Sequence, residues 1–155
     1  MVKKAIIISL SGYKLTKAEL NIFKKYLPWG VILFRRNIRD FTQLKKLILS
    51  IKKITRDKNY PILIDEEGGN VTRLEKIINN KNFSQKYFGE IFDLNQRIGS
   101  NIYKNYVNEI CIILKSLGVN INTIPVLDRQ YKFTNKFLKN RVYSSKIKTI
   151  KTLAN

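Results

Sequence analysis

The sequence predicts an α/β protein built on a parallel sheet, about four strand and helix units long. Two observations predict it. Short apolar runs rich in isoleucine alternate with segments whose hydrophobic residues recur every three or four positions. The third such run, 61–64, then empties directly into Asp65-Glu66-Glu67-Gly68-Gly69-Asn70-Val71-Thr72-Arg73. Ligands of α/β proteins bind at the carboxyl ends of the strands, so carboxylates, paired glycines and an arginine at that place mark a site.

The elements follow in order. Residues 5–10 form a first strand, and Thr16 with Glu19 has the spacing of a capping box that opens a helix carrying Leu20, Phe23 and Leu27. Pro28-Trp29-Gly30 ends that helix, and 31–34 make a second buried strand. Asp40, followed by Gln43, starts a helix whose apolar face runs through Leu44, Leu47, Ile48, Ile51 and Ile54. Pro61 opens the third strand, Ile62 to Ile64 suit a strand buried on both faces, and Gly68-Gly69 permits a sharp turn. Residues 79–93 read as loop with a short helix. From 96 to 117, Ile98, Ile102, Tyr106, Ile110, Ile113, Leu114 and Leu117 form one stripe, and Gly118 fits the left-handed position past a helix end. A fourth strand spans 119–127 and ends at Asp128; Ser144 or Ser145 caps a last helix with Ile147, Ile150 and Leu153. Four such units fit an open sheet or the first half of a closed (β/α)8 barrel, which needs about 250 residues.

At 155 residues and 44% hydrophobic content the chain suits one domain with a sizeable core. Ser11, Gly12 and Lys14 interrupt the N-terminal apolar stretch before signal-peptide length, and no segment approaches a membrane span. Cys111, the single cysteine, falls in an apolar helical pattern, which reads as core and is compatible with a reducing cytoplasm. The net charge of +19 is spread over every helix and loop, beside abundant asparagine and isoleucine. That reads first as a solvated basic surface and second as a patch for nucleic acid or an anionic surface. The densest cluster, Arg35, Arg36 and Arg39, suits an anionic substrate.

The acidic strand end admits several chemistries. Carboxylates bind sugar hydroxyls, hold a metal, or serve as a glycosidase acid and nucleophile pair. An ion-pair network with Arg73 would need no chemistry at all. Neighbouring residues of an extended segment point to opposite sides, so Asp65 and Glu66 should not face one ligand. With no histidine and no aspartate-rich loop, metal binding has little support.

Asp65-Glu66-Glu67-Gly68-Gly69-Asn70-Val71-Thr72-Arg73 resembles the Asp-(Gln/Glu)-Glu-Gly-Gly-x-Val-x-Arg signature of glycoside hydrolase family 3, in its bacterial β-N-acetylhexosaminidase branch. Gly30-Val31-Ile32-Leu33-Phe34-Arg35-Arg36-Asn37 resembles the family segment at strand two, Ile124-Pro125-Val126-Leu127-Asp128 that at strand four, and Asn140-Arg141-Val142-Tyr143 a later Glu-Arg-Ser-(Phe/Tyr).

The resemblance implies a partial TIM (β/α)8 barrel, about its first four units with parallel strands, in one truncated N-terminal domain over residues 1–155. It implies an O-glycosyl hydrolase that removes terminal N-acetylglucosamine from muropeptides in cytoplasmic cell-wall recycling, with no cofactor and no metal. Asp65, Arg73 and Arg141 would contact the sugar, and Glu67 and Asp128 would support them. Asn70, Asn140 and Val142 depart from the family pattern, which bears on substrate preference. The family's Lys-His-(Phe)-Pro-Gly-His-Gly segment, histidine acid/base loop and nucleophilic aspartate fall after the fourth unit, so no catalytic residue is assigned here. The partners expected are an N-acetylglucosamine-containing saccharide and either a C-terminal half or a second copy, met through unpaired barrel edges. The isolated chain is then expected to be inactive. The competing reading is a non-catalytic basic binding module.

Overall fold

The computed structural model describes residues 2–155, which divide into two units. The first comprises residues up to Asp65 together with Ile113–Asn122; the second comprises Glu66–Ile112 with Thr123–Asn155.

The first unit carries a four-stranded, all-parallel sheet in the order β1-β2-β3-β4: β1 Lys4–Ser9, β2 Pro28–Leu33, β3 Ile62–Ile64 and β4 Ile121–Asn122. Register places Ile8 against Val31, Val31 against Ile62 and Leu63 against Ile121. Val31, Leu33, Ile62 and Ile64 are fully buried. β1 differs: Ile6 and Ile7, on opposite faces, are 52% and 43% exposed.

Helix α1, Lys17–Tyr26, begins with the expected capping box, Thr16 accepting from Glu19 N–H at 3.2 Å while Glu19 accepts from Thr16 N–H at 2.7 Å. Glu19 also accepts from Ser11 N–H at 2.8 Å, tying the preceding loop to the helix. Pro28, Trp29 and Gly30 do not merely end α1. They open β2, because Leu27 takes the left-handed conformation that terminates the helix one residue earlier. Helix α2, Phe41–Thr55, is capped by Asp40, which accepts from Gln43 N–H, and buries Leu44, Leu47, Ile48 and Ile51. Between them lies a 3-10 turn, Arg35–Asn37. Asn37 holds it by donating to Leu10 O and Gly12 O at 3.0 Å each, and Arg36 Nε donates to Leu10 O. Of the Arg35, Arg36 and Arg39 cluster, Arg36 therefore braces this turn, and Arg39 pairs with Asp40.

β4 is two residues long, far short of the strand expected over 119–127. β3 offers a ladder only through Ile64, so the segment after Asn122 has nothing to continue pairing with. What aligns β4 is Asn120, whose Oδ1 accepts from Ile62 N–H while its amide donates to Asn59 O and Tyr60 O.

The second unit is helical. Its elements are α3 Gln85–Leu94, most of α4 Gln96–Leu117, a short α5 Lys136–Lys139 and α6 Ile147–Ala154. α3 is the helix expected within 79–93, at ten residues filling most of that stretch, and no sequence pattern announced α5. Residues Phe88, Phe92, Tyr103, Tyr143, Ile150 and Leu153 form its core. The face of α4 is therefore set by Tyr103, not by Ile98 and Ile102, which are exposed; Tyr103 packs edge-on to Tyr143 and shares a hydroxyl hydrogen bond with it. Cys111 is exposed, so its reading as core is corrected by the same rotation of the helix face. α6 carries no side-chain cap of its own: Ser144 Oγ accepts from Lys146 N–H, and Ile147 is exposed while Thr149, Ile150 and Leu153 are buried.

Candidate functional site

The acidic run splits where β3 ends. Asp65 is the last residue of the first unit and is partly buried. Glu66 and Glu67 open the second unit and are both buried, which the extended-strand alternation had not foreseen.

Glu66 is a bracket. Its Oε1 accepts from Thr72 Oγ1 at 2.6 Å and Asn80 Nδ2 at 3.2 Å; its Oε2 accepts from the backbone N–H of Arg73 at 2.7 Å and Leu74 at 2.9 Å. Four donors on one carboxylate close the loop 66–74 and fix where Arg73 begins. The loop folds back as a tight turn, with Glu67 N–H on Val71 O and Val71 N–H on Gly68 O. Both turn glycines are left-handed, Gly68 at φ 78° and Gly69 at φ 58°. A Cβ on Gly68 would stand 2.1 Å from Phe83 O, so the position admits nothing larger.

Glu67 meets Arg141. The guanidinium donates to it through two parallel bonds, Nε to Oε2 at 2.8 Å and Nη2 to Oε1 at 2.7 Å, with Glu67 nearly buried and the Arg141 side chain 23% exposed. Arg141 also lies over the Phe137 ring at 5.3 Å. Its backbone is fixed by α3: the Gln85 amide donates to Arg141 O at 2.5 Å, and its oxygen accepts from Val126 N–H and from the Tyr143 hydroxyl at 3.0 Å each. Burial pushes the Tyr143 hydroxyl far above its ordinary range, and Tyr103 beside it adds to the shift. Burial likewise raises Tyr106, with Glu66 contributing. These phenols stay neutral and serve as scaffold.

Asp128 does not sit on a strand end. It is exposed in the irregular segment beyond β4, a correction that follows from the shortness of that strand. Sequence reasoning also missed Glu66, Thr72, Asn80 and Gln85 as the framework. Their partners are six to fourteen residues away around Glu66, or on other elements altogether, and no periodicity records such pairs. Among the described residues no group of histidine, cysteine, aspartate or glutamate side chains gathers as a metal site would.

No family model matches the chain. It is similar to the β-hexosaminidase of Pasteurella multocida, 30% identical over 123 residues that cover 79% of this chain and 34% of that one. Its fold is similar to that of NagZ from Neisseria gonorrhoeae, solved in complex with zinc ion, with a TM-score of 0.88 at 24% identity over 98% of this chain and 45% of that one. A family 3 β-N-acetylglucosaminidase from Paenibacillus superposes with a TM-score of 0.79 over 96% of this chain and 27% of its own. The chain's fold is that of the glycoside hydrolase family 3 enzymes over nearly its whole length. Its four-stranded parallel sheet with helices corresponds to the N-terminal part of the family barrel. The chain spans less than half the length of the curated β-hexosaminidases it matches.

Proposed function

We propose that the chain supplies the sugar-holding part of a β-N-acetylhexosaminidase, an enzyme that hydrolyses terminal N-acetylglucosamine from a saccharide. The observation that carries this reading is the Glu67–Arg141 pair, which fixes a partly exposed guanidinium in one orientation before any ligand arrives. Donors ordered in advance bind at lower entropic cost and suit hydroxyl and acetamido oxygens. Arg73, whose backbone Glu66 holds, is the second donor of the same unit. Glu67 acts through Arg141. For Asp65 the proposal rests on its motif: a carboxylate that accepts from sugar hydroxyls. Asp128 keeps at most a supporting role. A complex of the Neisseria NagZ with N-trifluoroacetyl-D-glucosamine supports the substrate class.

Hydrolysis breaks the bond from the anomeric carbon to the leaving oxygen; the hydroxyl of water goes to carbon and its proton to the departing oxygen. In the retaining form a carboxylate nucleophile takes the carbon first and an acid/base group supplies and recovers the proton. Neither role is assigned to a residue of this chain, so it holds sugar without turning it over. The setting we infer is cytoplasmic muropeptide recycling. Among the described residues no helix is long and apolar enough to cross a membrane.

The test is N-acetylglucosamine titration of the chain followed by NMR, beside a chromogenic N-acetylglucosaminide assay. Saturable binding that Arg141→Lys weakens about tenfold, through loss of the bidentate fork, with no turnover, is the expected result. Absence of sugar binding would overturn the reading. Turnover abolished by Asp65→Ala would overturn the assignment of catalysis elsewhere.

A further inference from the structure

Within the first unit, a groove of about 1130 Å³ runs between α1 and α2. Its lining carries Lys14, Lys24, Arg39, Lys46, Lys53 and Arg56, all exposed, against a single carboxylate, Asp40. The chain as a whole has 30 basic and 11 acidic residues, so six to one is a local concentration beyond the general excess. Arg39 pairs with Asp40, which leaves the groove's one carboxylate compensated and the lysines to face solvent. Leu15, Leu20 and Leu47 contribute an apolar floor, and Tyr13, 40% exposed, lines the same groove.

Shape selects the ligand. Helix α2 has 15 residues, so the groove beside it extends roughly 22 Å at 1.5 Å per residue. Its volume then implies a cross-section on the order of 50 Å². That admits one extended chain. A duplex, whose major groove alone is about 12 Å wide, does not enter, nor does the flat face of a bilayer. Cations along the walls follow phosphates, while an apolar floor and a tyrosine ring receive bases. We propose that the α1–α2 groove binds single-stranded nucleic acid without sequence preference. The proposal is independent of the sugar-holding reading, since none of Asp65, Arg73 and Arg141 lines the groove.

The experiment measures anisotropy of a labelled single strand of about a dozen nucleotides against the whole chain at several salt concentrations. The variant Lys24→Gln/Lys46→Gln/Lys53→Gln is compared with Lys115→Gln/Lys148→Gln/Lys151→Gln, which removes the same charge outside the groove. The groove variant should bind about tenfold more weakly and lower the salt slope by about two, since single strands give roughly 0.7 per phosphate contact. The control variant should stay within about twofold. Lys46→Glu alone repeats the test with one exposed change, and circular dichroism confirms that helices persist. Equal loss in both triple variants would overturn the proposal. So would no binding at low salt, or equally tight binding of a duplex, of inorganic polyphosphate or of phosphatidylglycerol vesicles. Binding that survives Arg141→Ala separates this site from the sugar reading.

Discussion

The two units are held together by different physics. In the first, the interior is apolar: Val31, Leu33, Leu44, Ile48, Ile51, Ile62 and Ile64 are fully buried, and the sheet aligns them. In the second, an aromatic core sits beside buried polar brackets, in which Glu66 gathers four donors, Glu67 takes a guanidinium and Gln85 ties three segments. Apolar burial is non-directional and tolerates small shifts, whereas a buried carboxylate fails if one partner moves. The first unit has such brackets at Glu19 and Asn37, where they hold loops beside an apolar sheet; in the unit carrying Arg73 and Arg141 they hold the candidate site itself, as a region that must present polar groups at fixed positions requires.

The largest expected effect breaks the polar side of that contrast. Glu66→Ala leaves buried donors from Thr72, Arg73, Leu74 and Asn80 without their acceptor, at about 1–3 kcal/mol each where water does not reach them, so a loss of about 4 kcal/mol or more is expected in urea denaturation. A loss below about 1 kcal/mol would show that the bracket is ornamental. On the apolar side, Ile48→Ala should cost about 3 kcal/mol through lost transfer energy and a residual cavity. Glu67→Ala and Arg141→Ala should each cost about 3 kcal/mol, because either removes the bidentate partner of a largely buried charge. Their double variant should cost far less than the sum, and strict additivity in a double-mutant cycle would deny the coupling.

Acid separates the units more gently. Burial tends to raise Glu19, but hydrogen bonds from Thr16 and Ser11 outweigh it and hold the carboxyl below its ordinary 4.5. In the second unit burial likewise opposes Thr149, Lys146 and Ser144 at Asp93, and those partners win, holding it below 3.8. A carboxyl with a lowered folded pKa contributes stability that is complete above its unfolded value and is lost as pH falls through the folded one. Thermal midpoints should therefore decline below about pH 4.5 from Glu19 and below about pH 3.8 from Asp93. Glu19→Gln should flatten the first decline and Asp93→Asn the second; an unchanged acid limb in both would refute the assignment.

The same contrast explains what the sequence disclosed. The capping box of α1, the Asp40 cap of α2, the apolar faces of both helices and the buried β3 were legible because their signals recur within a few residues. The motif located the turn and its two left-handed glycines. Glu67 and Arg141 lie 74 residues apart, and nothing local to either records that they meet. The face of α4 misled because Ile98 and Ile102 are more apolar than Tyr103, yet tyrosine has ring neighbours and a hydroxyl partner waiting. β4 was read too long because an apolar run reveals propensity and not the length of the strand it must pair with.

The smallest expected effect on stability lies at β1, the margin of the sheet. Paired to β2 alone among the described strands, it exposes Ile6 and Ile7 on its two faces, with Trp29 of β2 beside them. Ile6 is half exposed already, so Ile6→Lys should change folding stability by no more than about 0.5 kcal/mol. Its consequence should appear in association. An apolar edge strand with unpaired backbone groups templates further pairing, and a lysine on it blocks that pairing by charge and desolvation. The net charge of +19 already opposes self-association at low salt, so the chain should remain dispersed there and assemble as salt screens the repulsion. Sedimentation velocity should show mass rising with concentration at high salt for the native sequence and a constant monomer for Ile6→Lys. Were the native chain monomeric throughout, the β1 margin would be a tolerated edge and not an interface, and the difference between the sheet's interior and its border would be one of packing alone.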